Sequence, residues 1–409
     1  MGDRKLATIQ RITALEPIPG RDRIVLASIL GWKVVVGKGD FSTGDLCVFF
    51  EVDSLLPPIP EFEFLRSRCW SEKQQGFRIK TMKLGETYSQ GLALPLSILN
   101  PPGAGEPIWS NFNEGNDVTE WLGVKKYLNP EELEQERAAV PPHRFERMPS
   151  WLRKLLWKTG LFGGHRKRVQ VFPSGIYKTD ETRLQAMPQI LDGMAGKVLY
   201  ATEKLDGCSA TFFARPVNRS LGDRLLGRRR IEFGVCSRNI RLWPGQSELF
   251  NKGAYWEMAR KHELEQKLSK IVRDFGGEGV AIQGEIIGPG IQGNKYGLSE
   301  KRLFVYQIQD LERGAFVDYD MLHWLAGQWG LDLVPDVPLP DSPITSGWGV
   351  DEWVLFSQGC SVLNPETPRE GLVVRTTEDE RAPGLHLPTV AQRLSFKVVN
   401  PFFLVKYDL

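Results

Sequence analysis

The front third of the chain is written in short alternating runs that suit strands and little else. IVLASILGWKVVVG (24–37) is followed by the turn residues Ser42-Thr43-Gly44-Asp45 and then by LCVFFEVD (46–53). GFRIKTMKL (76–84) and SQGLALPL (89–96) come next, and ATIQRI (7–12) precedes them all. Apolar residues recur at every second position, and Gly, Ser and Asp separate the runs. A helix cannot bury such a pattern on one face.

Five short strands in about 123 residues are what an oligonucleotide-binding (OB) barrel needs, although any small antiparallel barrel would share the pattern. The whole chain, at 409 residues, is long enough for two domains. We expect an OB-like domain over 1–123, a joining segment over 124–175, and a second domain over 176–409. The join carries a short helix at PEELEQER, a Pro-started helix at PSWLRKLLWKTG, and the basic residues Arg153, Lys154, Lys158, Arg166, Lys167 and Arg168. Those cations could meet phosphates or simply face water. The second domain mixes strands with a helix over KGAYWEMARKHELEQKLSKIVRDFGG (252–277), supported by Glu257–Lys261 and Glu263–Lys267 pairs at i,i+4.

A net charge of only +2 excludes a histone-like polycation but leaves room for a local basic groove. The five cysteines (Cys47, Cys69, Cys208, Cys236, Cys360) are odd in number and form no CxxC pair. They fit free thiols and an intracellular setting. No HxxxH pattern suggests zinc. No apolar run spans a bilayer, and no signal-peptide core opens the chain.

The most telling stretch of the second domain is ATEKLDGCSATFF (201–213). Alternation on both sides puts Lys204 at a strand end or in a short turn. Asp206-Gly207 reads equally as a hairpin turn or as part of a lysine nucleophile motif. Four later stretches bear on the choice. CSRNI (236–240) ends a strand-like run with Arg238. AIQGEIIGPG (281–290) carries Glu285. EGLVVR (370–375) begins with Glu370. LSFKVVNP (394–401) places Lys397 inside a strand. Between them LFVYQI (303–308) alternates aromatics, with Phe304 and Tyr306 facing one way. Singly, each has an ordinary explanation as turn, core or edge strand.

In this order the stretches resemble the covalent nucleotidyltransferase superfamily of polynucleotide ligases and mRNA capping enzymes. Twelve residues follow Lys397, too few for the trailing OB domain of DNA ligases and capping enzymes. The barrel lies in front instead. That layout is similar to the Deinococcus-type ATP-dependent RNA ligases, as are GDLCVFFEVDSLLP (44–57), IKTMKLGETYSQGLALP (79–95) and YKTDETRLQ (177–185). The fold implied is α+β: an N-terminal OB-like β-barrel followed by a nucleotidyltransferase (ATP-grasp-like ligase) domain of antiparallel sheets with flanking helices.

The chemistry accounts for the residue types. A lysine attacks the α-phosphorus of a nucleoside triphosphate and forms a phosphoramidate. A free lysine holds its proton to a pKa of about 10.4, and partial burial or a nearby cation, for which Lys397 is the candidate, lowers that value. The resemblance implies Lys204 as the AMP acceptor and Glu203 as the reader of adenine. Asp206, Glu285 and Glu370 would serve Mg²⁺ or Mn²⁺, through waters. Arg238 and Lys397 would bind ribose and α-phosphate, and Tyr306 would stack on the base. It implies ATP as substrate, RNA or an RNA-containing nicked duplex as partner, and sealing of 3′-OH to 5′-phosphate ends where RNA supplies the 3′-OH. No obligate protein partner and no membrane are implied. A GTP-dependent guanylyltransferase and an inactive RNA-binding relative are the rivals. Three features depart from the family pattern. Gln307 follows Tyr306 where an Asp is usual, Val399 takes the place of a second lysine that Lys406 might supply, and the basic run 215–230 is long.

Overall fold

The computed structural model describes residues 4–100, 111–129, 133, 172–217, 230–244, 253–275, 277–340, 347–381 and 393–409. The basic join and most of the run 215–230 lie outside the described residues. The chain forms two compact units built from interleaved segments. One comprises Met1–Tyr127, Asp180–Leu205 and Val334–Leu409; the other comprises Leu128–Thr179 and Asp206–Leu333.

In the first unit, four of the five expected runs pair into an antiparallel sheet in the order Leu92–Pro95, Leu46–Phe50, Ala7–Ile18, Arg21–Ile29, Trp32–Gly37, the run 24–37 reaching into two of these strands. The run 76–84 pairs elsewhere, Gly76–Arg78 with Ser54–Leu56 and Thr81–Leu84 with Thr87–Gln90. Alternation divides the central strands between two cores. Ala7, Ile9, Val48 and Phe50 pack into one, while Ile12, Trp32, Val34, Cys47 and Phe49 fill the other. Register shifts at Ile12/Ala14 and Pro17/Ile18 mark the irregularities by which the long first strand bends. This is the barrel of an OB fold.

The same unit holds a three-stranded antiparallel sheet in the order Leu199–Lys204, Gly371–Thr376, Ser395–Val399. Ala201, Leu372, Val374, Phe396 and Val398 point into a core closed by Trp353 of the helix Val350–Ser357. The barrel abuts the segment leading into this sheet. Gly31 N–H donates to Gln185 O at 2.9 Å. A β-carbon at Gly31 would come within 3.0 Å of both Gln185 Cα and the Val350 side chain, so the approach requires glycine.

The second unit is built on a larger sheet in which Cys208–Pro216, Val280–Ile287 and Arg302–Asp310 are central. One face is apolar (Phe212, Ile282, Ile286, Val305, Ile308) and is covered by helices contributing Tyr255, Met258, Leu268 and Leu322. Lys204 and Cys208 therefore belong to different sheets, and Asp206-Gly207 is not a hairpin turn. The single helix expected over 252–277 is instead two, Ala254–Lys261 and Leu264–Phe275, broken where Glu263 takes a left-handed φ of 52°. The expected i,i+4 pairs give way to tertiary ones: Lys301 with Glu257 and Lys261 with Glu300. Lys267 donates to Trp329 O. Among the described residues, no helix is long and apolar enough to cross a membrane.

Candidate active site

Lys204 is the last residue of its strand and pairs in register with Gly371. Side chains alternate across a strand. Because Leu372, Val374, Phe396 and Val398 enter the core, Lys204, Val373 and Lys397 project from the opposite face. That alternation sets two of the expected cations on one surface. The partner that the fold gives Lys204 is nevertheless an anion: Nζ donates to Glu370 Oε1 at 2.5 Å. Both side chains are largely shielded, at 25% and 12% exposure.

Glu370 is held from behind. Its carbonyl accepts from Asn400 N–H at 2.8 Å, and Asn400 Nδ2 donates to Arg369 O at 2.9 Å. Asn400 also caps the helix Pro401–Tyr407 through Phe402 N–H. Gly371 lets the two strands close up, since a β-carbon there would overlap Val398 O. Lys397 N–H donates to Thr182 O at 2.8 Å, and Arg183 bridges to Lys397, so residues 182–183 run along the free edge of this sheet.

The structure does not bring the Glu203 carboxyl to the Lys204 face. Glu203 is opposite Leu372, on the core side, and accepts from Val362 N–H at 2.9 Å. Burial pushes its carboxyl above the usual range, against the hydrogen bonds from Ser361 and Val362 and the charge of Arg369. Its evident local part is to hold the turn at 361–363. Val399 is buried at the end of its strand, and Lys406 lies on the following helix with its Nζ 5.4 Å from the Tyr407 ring centre.

In the second unit, Asp206 pairs with Lys295, and its N–H donates to Tyr296 Oη at 2.7 Å. Lys295 Nζ also donates to Gln292 O at 2.7 Å. The loop behind this grip is costly. Gln292, Gly293 and Asn294 are left-handed in succession (φ 43°, 74°, 48°), at about 1–2 kcal/mol for each non-glycine residue. Strain of this kind persists where the surroundings over-determine it. Arg238 lies in the tight turn Ser237–Ile240, closed by Ser237 N–H to Ile240 O at 2.9 Å. Glu285 and Phe304 face each other across the sheet, with Ser209 opposite Glu285 on the other side.

Tyr306 occupies a bulge. Gln307 pairs with Gln283 but Val305 pairs with Gly284, leaving Tyr306 as the extra residue. A bulge turns two successive side chains to the same side. Tyr306 Oη meets Ser209 Oγ at 3.0 Å, and Gln307 Nε2 donates to Gln283 Oε1. Gln307 thus has a local reason to be an amide: it pairs with another.

Among the described residues, no three His, Cys, Asp or Glu side chains converge as a protein-built metal cage. Asp206 and Glu370 each already face a lysine ammonium. The donors suit only a hard cation that keeps most of its waters and leans on substrate phosphate, as Mg²⁺ does.

Sequence reasoning missed Lys295, Tyr296 and Arg183. The turn-rich GNKYG after the Glu285 strand was the available signal for the first two. Arg183 lies within YKTDETRLQ, from which no chemistry was read. Burial pulls its guanidinium pKa down against the field of Asp53, and Glu370 is among the carboxylates it faces. Its Nη1 is buried without a hydrogen-bond partner among the described residues.

Lys204 thus ends its strand against Glu370-Gly371, on a sheet that also presents Lys397. Comparison with known proteins gives the family context. An OB-fold domain model matches residues 6–96, and the RNA ligase model matches residues 197–399. Residues 197–399 are thus an RNA ligase domain, with an OB-fold domain ahead of it. Similar solved structures include Naegleria gruberi RNA ligase with PPi (26% identity, 99% of each chain covered, TM-score 0.72). An apo point mutant of that enzyme matches at 26% identity over 100% of this chain and 99% of its own, with TM-score 0.73. A mutant with ATP and Mn matches at 26% identity over 98% of each chain, with TM-score 0.72. No curated protein matches the chain by sequence.

Proposed function

We propose that the protein is an ATP-dependent RNA ligase that joins a 3′-OH to a 5′-phosphate through a Lys204–AMP intermediate, acting on nicks whose 3′-OH strand ends in RNA. The observation that carries this reading is Lys204 Nζ on Glu370, at the end of a strand whose neighbours bear Lys397 on the same face. ATP and a divalent metal come to this chain from the solved relative with ATP and Mn.

Three displacements make up the reaction. Lys204 Nζ bonds to the α-phosphorus and pyrophosphate leaves. A 5′-phosphate oxygen then attacks the same phosphorus and frees Lys204, leaving AMP joined to the RNA end. The 3′-OH finally attacks the 5′-phosphate and AMP departs. As an ammonium ion-paired with Glu370, Lys204 has no lone pair to offer, so the first step begins with loss of one proton from its nitrogen. Lys397 and Arg183 are the cations suited to phosphate oxygens; Arg238 and Glu285 are suited to ribose. Asp206, Glu285 and Glu370 would hold the metal through water, and the metal supplies positive charge to the phosphates. Tyr306 stacks on adenine. Glu203 would read adenine, from a carboxyl that also accepts from Val362 N–H.

The test is incubation with α-labelled ATP or GTP and Mg²⁺, followed by sealing of matched nicks with RNA or DNA at the 3′-OH. ATP-specific label on Lys204 and faster sealing of the RNA-ended nick are expected. Label from GTP alone would make the protein a guanylyltransferase. Equal sealing of both nicks would remove RNA selectivity, which a terminal 2′-OH should provide.

A further inference from the structure

Behind Tyr306 stands a chain of hydroxyls that the roles above do not use. Thr179 Oγ1 lies 2.8 Å from Ser209 Oγ, which lies 3.0 Å from Tyr306 Oη. All three belong to the same compact unit. The far end of the chain is pinned two residues upstream. Tyr177 N–H donates to Gln309 Oε1 at 2.9 Å, Gln283 Nε2 donates to Tyr177 O at 2.6 Å, and Tyr177 Oη donates to Gly314 O at 3.1 Å. Ser209 lies on the strand Cys208–Pro216, where register pairing with Glu285 of the neighbouring strand fixes its backbone.

Tyr306 needs such a brace. As the extra residue of a bulge it has no residue directly opposite it on the strand Val280–Ile287. The hydroxyl chain ties the end of its ring to the neighbouring strand Cys208–Pro216.

We propose that Ser209 and Thr179 are positioning residues that fix the Tyr306 ring for the nucleotide base, so that ATP affinity depends on a three-hydroxyl relay. The inference rests on the reading that Tyr306 stacks on adenine. Holding a ring in place before the ligand arrives lowers the ordering cost of binding. It leaves the phosphoryl chemistry untouched.

The test is KM for ATP and kcat of lysine adenylation in the full chain for Ser209→Ala, Thr179→Val, Tyr306→Phe, the Ser209→Ala/Tyr306→Phe double variant and Tyr306→Ala. The first three should each raise KM about three- to tenfold, up to about 1.4 kcal/mol, and leave kcat within about twofold. The double variant should match its worse single parent, because both changes cut one relay. Parental KM in both Ser209→Ala and Thr179→Val, with a raised KM in Tyr306→Ala, would overturn the relay and leave the stacking reading standing. Parental KM in Tyr306→Ala would overturn both. Additive effects in the double variant would also overturn the relay, as would a fall in kcat without a change in KM.

Discussion

Replacing Glu181 by alanine should strongly destabilise the unit that carries Lys204. Glu181 Oε1 accepts from Arg375 Nε at 3.2 Å and Nη2 at 3.0 Å, and Ser395 Oγ donates to Oε2. The Arg375 side chain is only 3% exposed, so the alanine takes a carboxylate away from beside a buried cation. Breaking such a pair from one side costs about 3–5 kcal/mol. For a unit of roughly 230 residues, each kcal/mol moves the midpoint by about 2–4 °C, which gives a fall of about 6–20 °C. The assay is thermal unfolding followed by far-UV circular dichroism, with Glu181→Gln and a Glu181→Met/Arg375→Met double variant alongside. The amide should lose less than alanine because it keeps one acceptor. The double variant should recover most of the loss, short of about 1 kcal/mol for the Ser395 hydroxyl left without its acceptor. A fall of under 2 °C for alanine, or a double variant less stable than the single one, would refute the argument. Adenylation should track the loss, because Thr182 and Arg183, directly after Glu181, line the Lys397 strand.

Lys204→Ala should abolish covalent label from ATP; label equal to the parent's would move the nucleophile elsewhere. Glu370→Ala and Glu285→Ala should each cut the adenylation rate at least a hundredfold with the far-UV spectrum unchanged, and a folded double variant with parental rate would remove both from the site. Asp53 supplies a pH dependence. Burial raises its carboxyl, but Arg183, Arg4 and Arg78 outweigh that and hold it below the ordinary 3.8. Its stabilisation is thus complete above about pH 3.8 and lost as pH falls toward the folded value. Asp53→Asn should flatten the decline of the urea midpoint below pH 4, and an unchanged acid slope would contradict this. Deleting residues 1–123 should lower adenylation as well as sealing, because the barrel shares a compact unit with Lys204 and covers Gln185; full labelling by the truncated protein would show otherwise.

The strands of the barrel were legible because period-two alternation is a local signal and the turns carry Gly, Ser and Asp. The Lys204 and Glu370 stretches were legible as an ordered set. Other features were settled by tertiary contacts that no short window contains. The break at Glu263 lies in a sequence with good helical spacing. The opposite facing of Glu203 and Lys204 depends on which face Leu372 and Val398 bury. Lys295 gives no sign in the sequence that its partner is a carboxylate 89 residues upstream. The interleaving of segments was also hidden, since composition changes along the chain suggest consecutive domains while Asp180–Leu205 and Val334–Leu409 pack with the first.

That interleaving imposes an order on birth. The strand Leu199–Lys204 has one edge bonded only once Pro335–Val337 exist and the other only once Gly371–Thr376 exists, and the sheet is not closed until Ser395–Val399 has followed. A ribosome adding about 5–20 residues per second needs about 10–40 s to go from Lys204 to Val399. For the greater part of that wait Leu199–Lys204 has both edges open, the kind of segment that adheres to other chains. The barrel sheet can pair long before, from residues 7–95, and Leu99, Val118, Leu122 and Val124 complete its core soon after. The nascent protein therefore acquires its first fold early and the sheet that carries Lys204 last, and a cell that stalls translation anywhere between the two holds a chain that is folded at the front and open-edged behind.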